Sequence, residues 1–289
     1  MSLLDDVRSK NEGKASKPLT NRASRPWLFL ALTLGITWLL EFSAAGLQPI
    51  APGIWISVLR TLGGAMPFLV TLLLLFTAEG PPTRRAFWRR LIDVKRIRPI
   101  WWLVILLFIP LKSGLAALID ILLGGWGMAP EALTEFLTNP LTILPTLLFW
   151  LIFGPLPEEP GWRGYALDGL QARRSAWFAS LAVGLVWAAW HLPLFFIEGT
   201  WQAETIGLGT QRFYLYMLSI LMQSFIYTWI FNNTNRSILA AILFHFSTNA
   251  FGELVELSPR AEIINFALLV LVAATLLIHQ EITCQPDSL

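Results

Sequence analysis

This sequence is poor in charge. Asp, Glu, Lys and Arg make up 14% of its 289 residues, against about 25% in soluble globular domains. A water-soluble surface of ordinary size cannot be built from that supply. Cysteine is nearly absent: Cys284 stands alone, which excludes an internal disulfide and any cysteine-rich metal centre. It lies too far from the last residue to be a prenylation box. Histidine occurs three times, and the zinc-helix pattern His-Glu-x-x-His is missing. No segment alternates apolar and polar residues as a barrel strand would, and no internal repeat is visible. Residues 1–26 lack the apolar core of a signal peptide and read as a basic, disordered cytoplasmic tail.

What remains is apolar. Hydrophobic residues make up 55% of the chain, the mean hydropathy is +0.59, and apolar runs of about 20 residues recur, long enough to cross a bilayer as helices. In lipid a helix satisfies its own backbone. The predicted fold is therefore all-α, a polytopic helical bundle with about eight transmembrane helices. The candidate spans are about 27–47, 54–77, 100–124, 141–157 or longer, 175–197, 212–231, 237–257 and 261–280. They form one domain over 27–280, followed by a short C-terminal tail, 281–289.

Lysine and arginine set the orientation. Six lie in the N-terminal tail, seven between Arg84 and Arg98, two at Arg173 and Arg174, and one at Arg236. All fall on one side of an even-numbered bundle. The opposite loops, about 125–139 and 198–211, carry Glu131, Glu135, Glu198 and Glu204 and no lysine or arginine. The positive-inside rule then puts both termini in the cytoplasm, in an integral protein expected in the plasma membrane. The stretch Arg84–Arg98 interleaves its charges with Phe87, Trp88, Leu91 and Ile92. It reads equally as an ordinary basic loop or as a short amphipathic helix on an anionic leaflet. The lipid bilayer is thus one partner, and no nucleic-acid partner is expected.

Charges inside the spans are expensive and are functional suspects. Glu41 and Arg60 fall at similar depth in the first two spans, so an ion pair between them is the preferred reading. Lys112 and Asp120 in the third span are ambiguous. The fourth span is punctuated by Pro140, Pro145, Pro155, Pro157 and Pro160. It carries Pro157-Glu158-Glu159-Pro160-Gly161-Trp162-Arg163-Gly164-Tyr165. Broken helices occur in membranes where they are buried in protein or line a wet cavity, so this one is expected to continue, bent, toward Leu170. Glu159 and Arg163 are four apart and can pair, which leaves Glu158 as the carboxylate free to act as a general base. Two later spans each bring a histidine. His191 follows Trp187 by four residues, and His245 shares a helical face with Asn249. One glutamate and two histidines, Glu158, His191 and His245, could hold a divalent metal such as zinc with an open water position. A metal-free arrangement is equally open. There Glu158 and His191 activate water while His245 and Asn249 hydrogen-bond the oxyanion.

These three stretches resemble the motifs of the CPBP family, the CAAX proteases and bacteriocin-processing enzymes also called Abi. The matching residues are Glu158-Glu159-x-x-x-Arg163, an aromatic ahead of His191, and His245-x-x-x-Asn249. The run Glu-Glu-Pro-Gly-Trp-Arg-Gly-Tyr is similar to bacterial members in particular. The resemblance implies an eight-helix bundle with a cytoplasm-facing cavity and an intramembrane endopeptidase. Its substrate would be a peptide or lipidated protein, of the prenylated CAAX type or bacteriocin-related. It also implies roles: Glu158 as water-activating base, His191 and His245 as water or metal partners, and Asn249 as oxyanion donor. Glu159, Arg163 and Trp187 would be supporting residues. Trp187 departs from the family's usual phenylalanine and is expected to pack as that ring would. Two other readings compete: a noncatalytic interaction or immunity protein that keeps the fold, and a transporter using the polar stripe. One geometric tension accompanies all of this. At about 1.5 Å per residue, His245 lies about 13 Å and His191 about 24 Å from the cytoplasmic ends of their helices. Their meeting needs tilt, for which up to about 40° is ordinary.

Overall fold

The computed structural model describes residues 24–283. The basic N-terminal tail up to residue 23, the end of the C-terminal tail and Cys284 lie outside the described residues. Twelve helices follow in order: α1 Pro26–Leu47, α2 Gly53–Ala78, α3 Pro81–Ile92, α4 Pro99–Leu122, α5 Glu131–Thr138, α6 Pro140–Ile152, α7 Pro155–Gly161, α8 Asp168–Gln171, α9 Ala176–Trp190, α10 Gln211–Asn233, α11 Ile238–Leu254 and α12 Pro259–Thr283. Proline opens many of them, at the position where a missing N–H is no loss. Three others start on a hydroxyl cap: Ser175, Thr210 and Ser237 accept from the backbone N–H three residues on, at 3.1–3.3 Å.

The chain is an integral membrane protein by composition and length. Among the described residues seven helical rods are long and apolar enough to span a bilayer, and α11, with 17 residues, is a shorter apolar helix. Large apolar side chains such as Leu103, Leu111, Leu118, Leu141 and Leu144 stand on the outer surface. An aliphatic exterior on this scale fits lipid as its solvent. The interior is one continuous core that runs from Phe29 and Val70 through Trp162, Tyr165 and Trp187 to Tyr227 and Phe244.

Polar clasps close both ends of the bundle. At one end Asp120 is fully buried. It accepts from Ser258 Oγ at 2.7 Å and from the Gly127 N–H at 2.9 Å, and it pairs with Arg260. A two-residue antiparallel ladder, β1 Met128–Ala129 with β2 Glu256–Leu257, lies beside it. At the other end buried Asp168 pairs with Arg90, at 3.3 Å, and with Arg236. The stretch expected as either a loop or an amphipathic helix is helical over α3. Phe87 and Arg90 face inward, while Arg85 and Arg89 are exposed.

The fourth span continues past Glu158, bent rather than ended. α6 stops at Ile152, the chain breaks at Phe153–Gly154, and α7 restarts at Pro155. A π-helical turn, Trp162–Leu167, then joins α7 to α8. Every residue from Glu158 to Leu170 is buried, whereas α6 buries none.

The preferred ion pair of Glu41 with Arg60 does not form. Glu41 is 1% exposed, with its carboxylate folded over Gly63, while Arg60 lies on the outside of α2. Equal depth was a correct inference, but azimuth decides contact, and the two side chains leave their helices in different directions. Lys112 donates to Asn265 on α12, and Asp120 belongs to the clasp above.

The closest helix approach near the bend is between α7 and α2. A β-carbon added to Gly161 would lie 2.6 Å from the Pro67 carbonyl oxygen and 2.8 Å from Phe29 Cζ. Gly161→Ala is therefore expected to force α7 off α2 and to destabilise the fold by about 1–3 kcal/mol. A lowered melting temperature in detergent, with wild type and Gly64→Ala, whose added carbon would meet nothing within 4 Å, run alongside, checks this. An unchanged melt would mean that the contact is slack.

Candidate active site

The break at Gly154 is what brings Glu158 inward. Pro155 starts a new helix, so Glu158 sits in its first turn, where exposed backbone N–H groups favour a carboxylate. It is 6% exposed. Its Oε2 accepts from the indole Nε1–H of Trp187 at 2.8 Å. Its Oε1 makes no hydrogen bond among the described residues. Trp187 was expected to act as a packing ring, and its role is larger: the indole N–H makes it a ligand of the carboxylate.

Glu159 faces the other way and is fully buried. The expected pair with Arg163 is present at 2.9 Å. The same oxygen, Oε1, also accepts from His245 Nδ1 at 2.8 Å. A carboxylate can only accept, so the ring proton sits on Nδ1 and Nε2 is left facing away. Arg163 is held between two aromatic faces, with its guanidinium carbon 4.2 Å from the Trp187 ring centre and 4.1 Å from that of Tyr227. Such a stack suits a guanidinium with few hydrogen-bond partners.

His191 caps the C-terminus of α9, where the chain tightens into a 3₁₀ turn over Leu192–Phe196. Its Nδ1–H donates to the Trp187 carbonyl at 2.8 Å. That bond fixes the tautomer, and Nε2 is again the free nitrogen. The rings of Trp190 and Tyr216 enclose it, with centroids at 4.8 and 5.7 Å.

The two histidines meet at Trp187, whose ring centre is 6.0 Å from that of His191 and 5.5 Å from that of His245. The difference in depth counted along the helices is therefore absorbed by the packing. Asn249, one turn beyond His245, has its Nδ2 beside Gly154, 2.9 Å from where a β-carbon would stand. The missing side chain at the helix break gives that amide its space. Among the described residues, no group of three or more His, Cys, Asp or Glu side chains is arranged to hold a metal ion. Glu158, His191 and His245 are thus neighbours of one indole without being a ready metal-binding triad.

Comparison with known proteins gives the family. The family model described as type II CAAX prenyl endopeptidase Rce1-like matches residues 140–251. That interval includes every residue of the cluster just described. A curated CAAX prenyl protease 2 from Methanococcus maripaludis is 32% identical over 257 residues, covering 89% of this chain and 94% of the relative. The chain belongs to the Rce1-like CAAX prenyl endopeptidase family. It is accordingly a protease, and its setting is the membrane.

Several contacts of this candidate site in the CAAX endopeptidase chain were not foreseen from the sequence. Tyr227 stacks on Arg163, Tyr216 encloses His191, and Thr37 accepts from the Trp190 indole at 2.9 Å while donating to the Gly63 carbonyl at 2.9 Å. A tyrosine in an apolar span was the one available signal, since only four occur in the chain. The two adjacent glutamates are expected to separate on mutation. Glu159→Ala strands a buried guanidinium, so it should lose about 3–5 kcal/mol of stability. Glu158→Ala, which leaves no buried cation unpaired, should melt close to wild type. Thermal denaturation of both variants in detergent decides, and equal losses would contradict this division of roles.

Proposed function

We propose that this protein is an intramembrane endopeptidase of the CAAX type, which uses a water molecule activated by Glu158 to cleave after a prenylated cysteine. One observation carries the reading. Glu158 keeps one carboxylate oxygen free, and His191 and His245 each keep Nε2 free, around a single buried indole. The second polar atom of each of the three is already tied, so each group has one orientation and one atom left for chemistry.

The reaction follows from those free atoms. Glu158 Oε1 takes a proton from water while His191 Nε2 accepts the other hydrogen and holds the oxygen in line. The water oxygen bonds to the carbonyl carbon of the scissile peptide, and the carbonyl π pair moves to its oxygen. Asn249 Nδ2–H donates to that oxyanion, and His245 donates beside it when its Nε2 carries a proton as well as the Nδ1 held by Glu159. When the tetrahedral adduct collapses, the C–N bond breaks and the proton held by Glu158 passes to the departing amine. A new carboxyl group and a free amine result. No step is assigned to a metal, because the donor groups do not assemble one.

The basic flanks support a site within reach of the cytoplasm, in a reading that has both termini on that side and the plasma membrane as host. The prenyl chain of the substrate would stay in the lipid beside the chamber.

The test uses the purified full chain in bilayer discs with a farnesylated CAAX peptide, reading release of the C-terminal tripeptide by mass spectrometry. Wild type should cleave, the unprenylated peptide should survive, and activity should persist after dialysis against a chelator. Glu158→Gln should fall by about 10²–10⁴-fold, the range of a lost general base. Retention of cleavage in Glu158→Gln would sink the mechanism. For orientation, Ser247→Cys in a Cys284→Ser background is expected to react with an impermeant maleimide in inside-out vesicles and not in right-side-out cells.

A further inference from the structure

The indole N–H of Trp187 is spent on Glu158, and nothing in the packing compels that choice. Other buried tryptophans go without: the Nε1–H groups of Trp101 and Trp162 have no hydrogen-bond partner. The interior thus tolerates an unpaired indole, and the Trp187 bond is not explained by the need to satisfy its own donor. What it does for the carboxylate is more informative.

Glu158 has a competing partner. Arg163, about one turn along the same bent rod, is paired to Glu159 through Nη1 alone, while its Nε and Nη2 are buried without acceptors. A free carboxylate in an apolar chamber is drawn to such nitrogens, because a guanidinium prefers a two-pronged acceptor and low dielectric strengthens the attraction. Glu158 captured in that way would present no oxygen to water. The Trp187 side chain stands between them, its ring against the guanidinium at 4.2 Å and its N–H on Glu158 Oε2 at 2.8 Å.

We infer that Trp187 is a positioning residue for catalysis: its indole N–H holds Glu158 Oε2 and keeps the base out of the reach of Arg163, so that Oε1 alone faces the attacking water. This rests on Glu158 being the base. The residue does this independently of His191, which is held by the Trp187 backbone carbonyl. A side-chain change at position 187 therefore removes the anchor of the base and leaves the histidine contact in place.

The experiment compares wild type, Glu158→Gln, Trp187→Phe and a protein carrying benzothienylalanine at 187, each with the farnesylated peptide. The last keeps the bicyclic shape and lacks only the N–H. Wild-type cleavage, and its loss in Glu158→Gln, first establishes the base. Both position-187 variants are then expected to lose about ten- to a hundredfold in kcat, the scale of one hydrogen bond to a charged group, with KM within about twofold of wild type. If kcat is unchanged in the benzothienylalanine protein, or if only KM rises, the inference is overturned whatever Trp187→Phe does. If instead Glu158→Gln remains active, it is the base assignment that fails.

Discussion

The buried carboxylate of Glu159 is the constraint on which the interior depends. It is fully enclosed, and one of its oxygens accepts both from Arg163 on its own rod and from His245 on α11. A charge in such a place is stable only while its partners stay, and each partner is in turn fixed by something else. Arg163 is clamped between Trp187 of α9 and Tyr227 of α10. Four separate segments are thereby referenced to one oxygen atom. Buried ion pairs often contribute little net stability compared with well-packed apolar groups. What this one contributes is definition: it sets the tautomer of His245 and the direction of its free nitrogen.

The neighbouring glutamate shows how one dipeptide yields two environments. Successive residues on a helix differ by about 100° in azimuth. Glu159 points toward the clamped Arg163 and His245, and Glu158 toward the Trp187 indole of α9. The break at Gly154 and the restart at Pro155 make this possible, because they let the rod turn inward at the level of the histidines. The polar clasps at Asp120 and Asp168 then hold the two ends of the bundle against that bend.

Much of this was legible in the sequence, and the limit falls at a physical boundary. The all-helical fold, the bent fourth span and the Glu159–Arg163 pair follow from local periodicity, which a single segment carries within itself; of the eight spans expected, seven among the described residues are long enough and α11 is shorter. The motif residues were legible as types: Glu158, His191 and His245 are ionisable groups where lipid would exclude them. Contacts between distant segments were not. Glu159 and His245 are 86 positions apart, and neither helix alone indicates which face will meet the other. The Glu41–Arg60 pairing failed for the same reason, since depth can be counted along a chain but azimuth between two helices cannot. Trp187 was seen as an aromatic ring, but its hydrogen-bonding edge acquires meaning only from what lies opposite.

The contrast between α6 and the rod that follows it bears on how this chain can diverge. α6 buries no residue, yet from Glu158 to Leu170 nothing is exposed. Apart from Trp150, which stacks on Phe136, and Leu151, which packs against the core, a substitution in α6 meets mostly lipid, so many residues of suitable hydropathy serve there. Beyond the break, each position answers to neighbours on several other helices, so a change there succeeds only with compensating changes elsewhere. Two halves of one membrane crossing, separated by the two residues Phe153 and Gly154, should therefore evolve at very different rates.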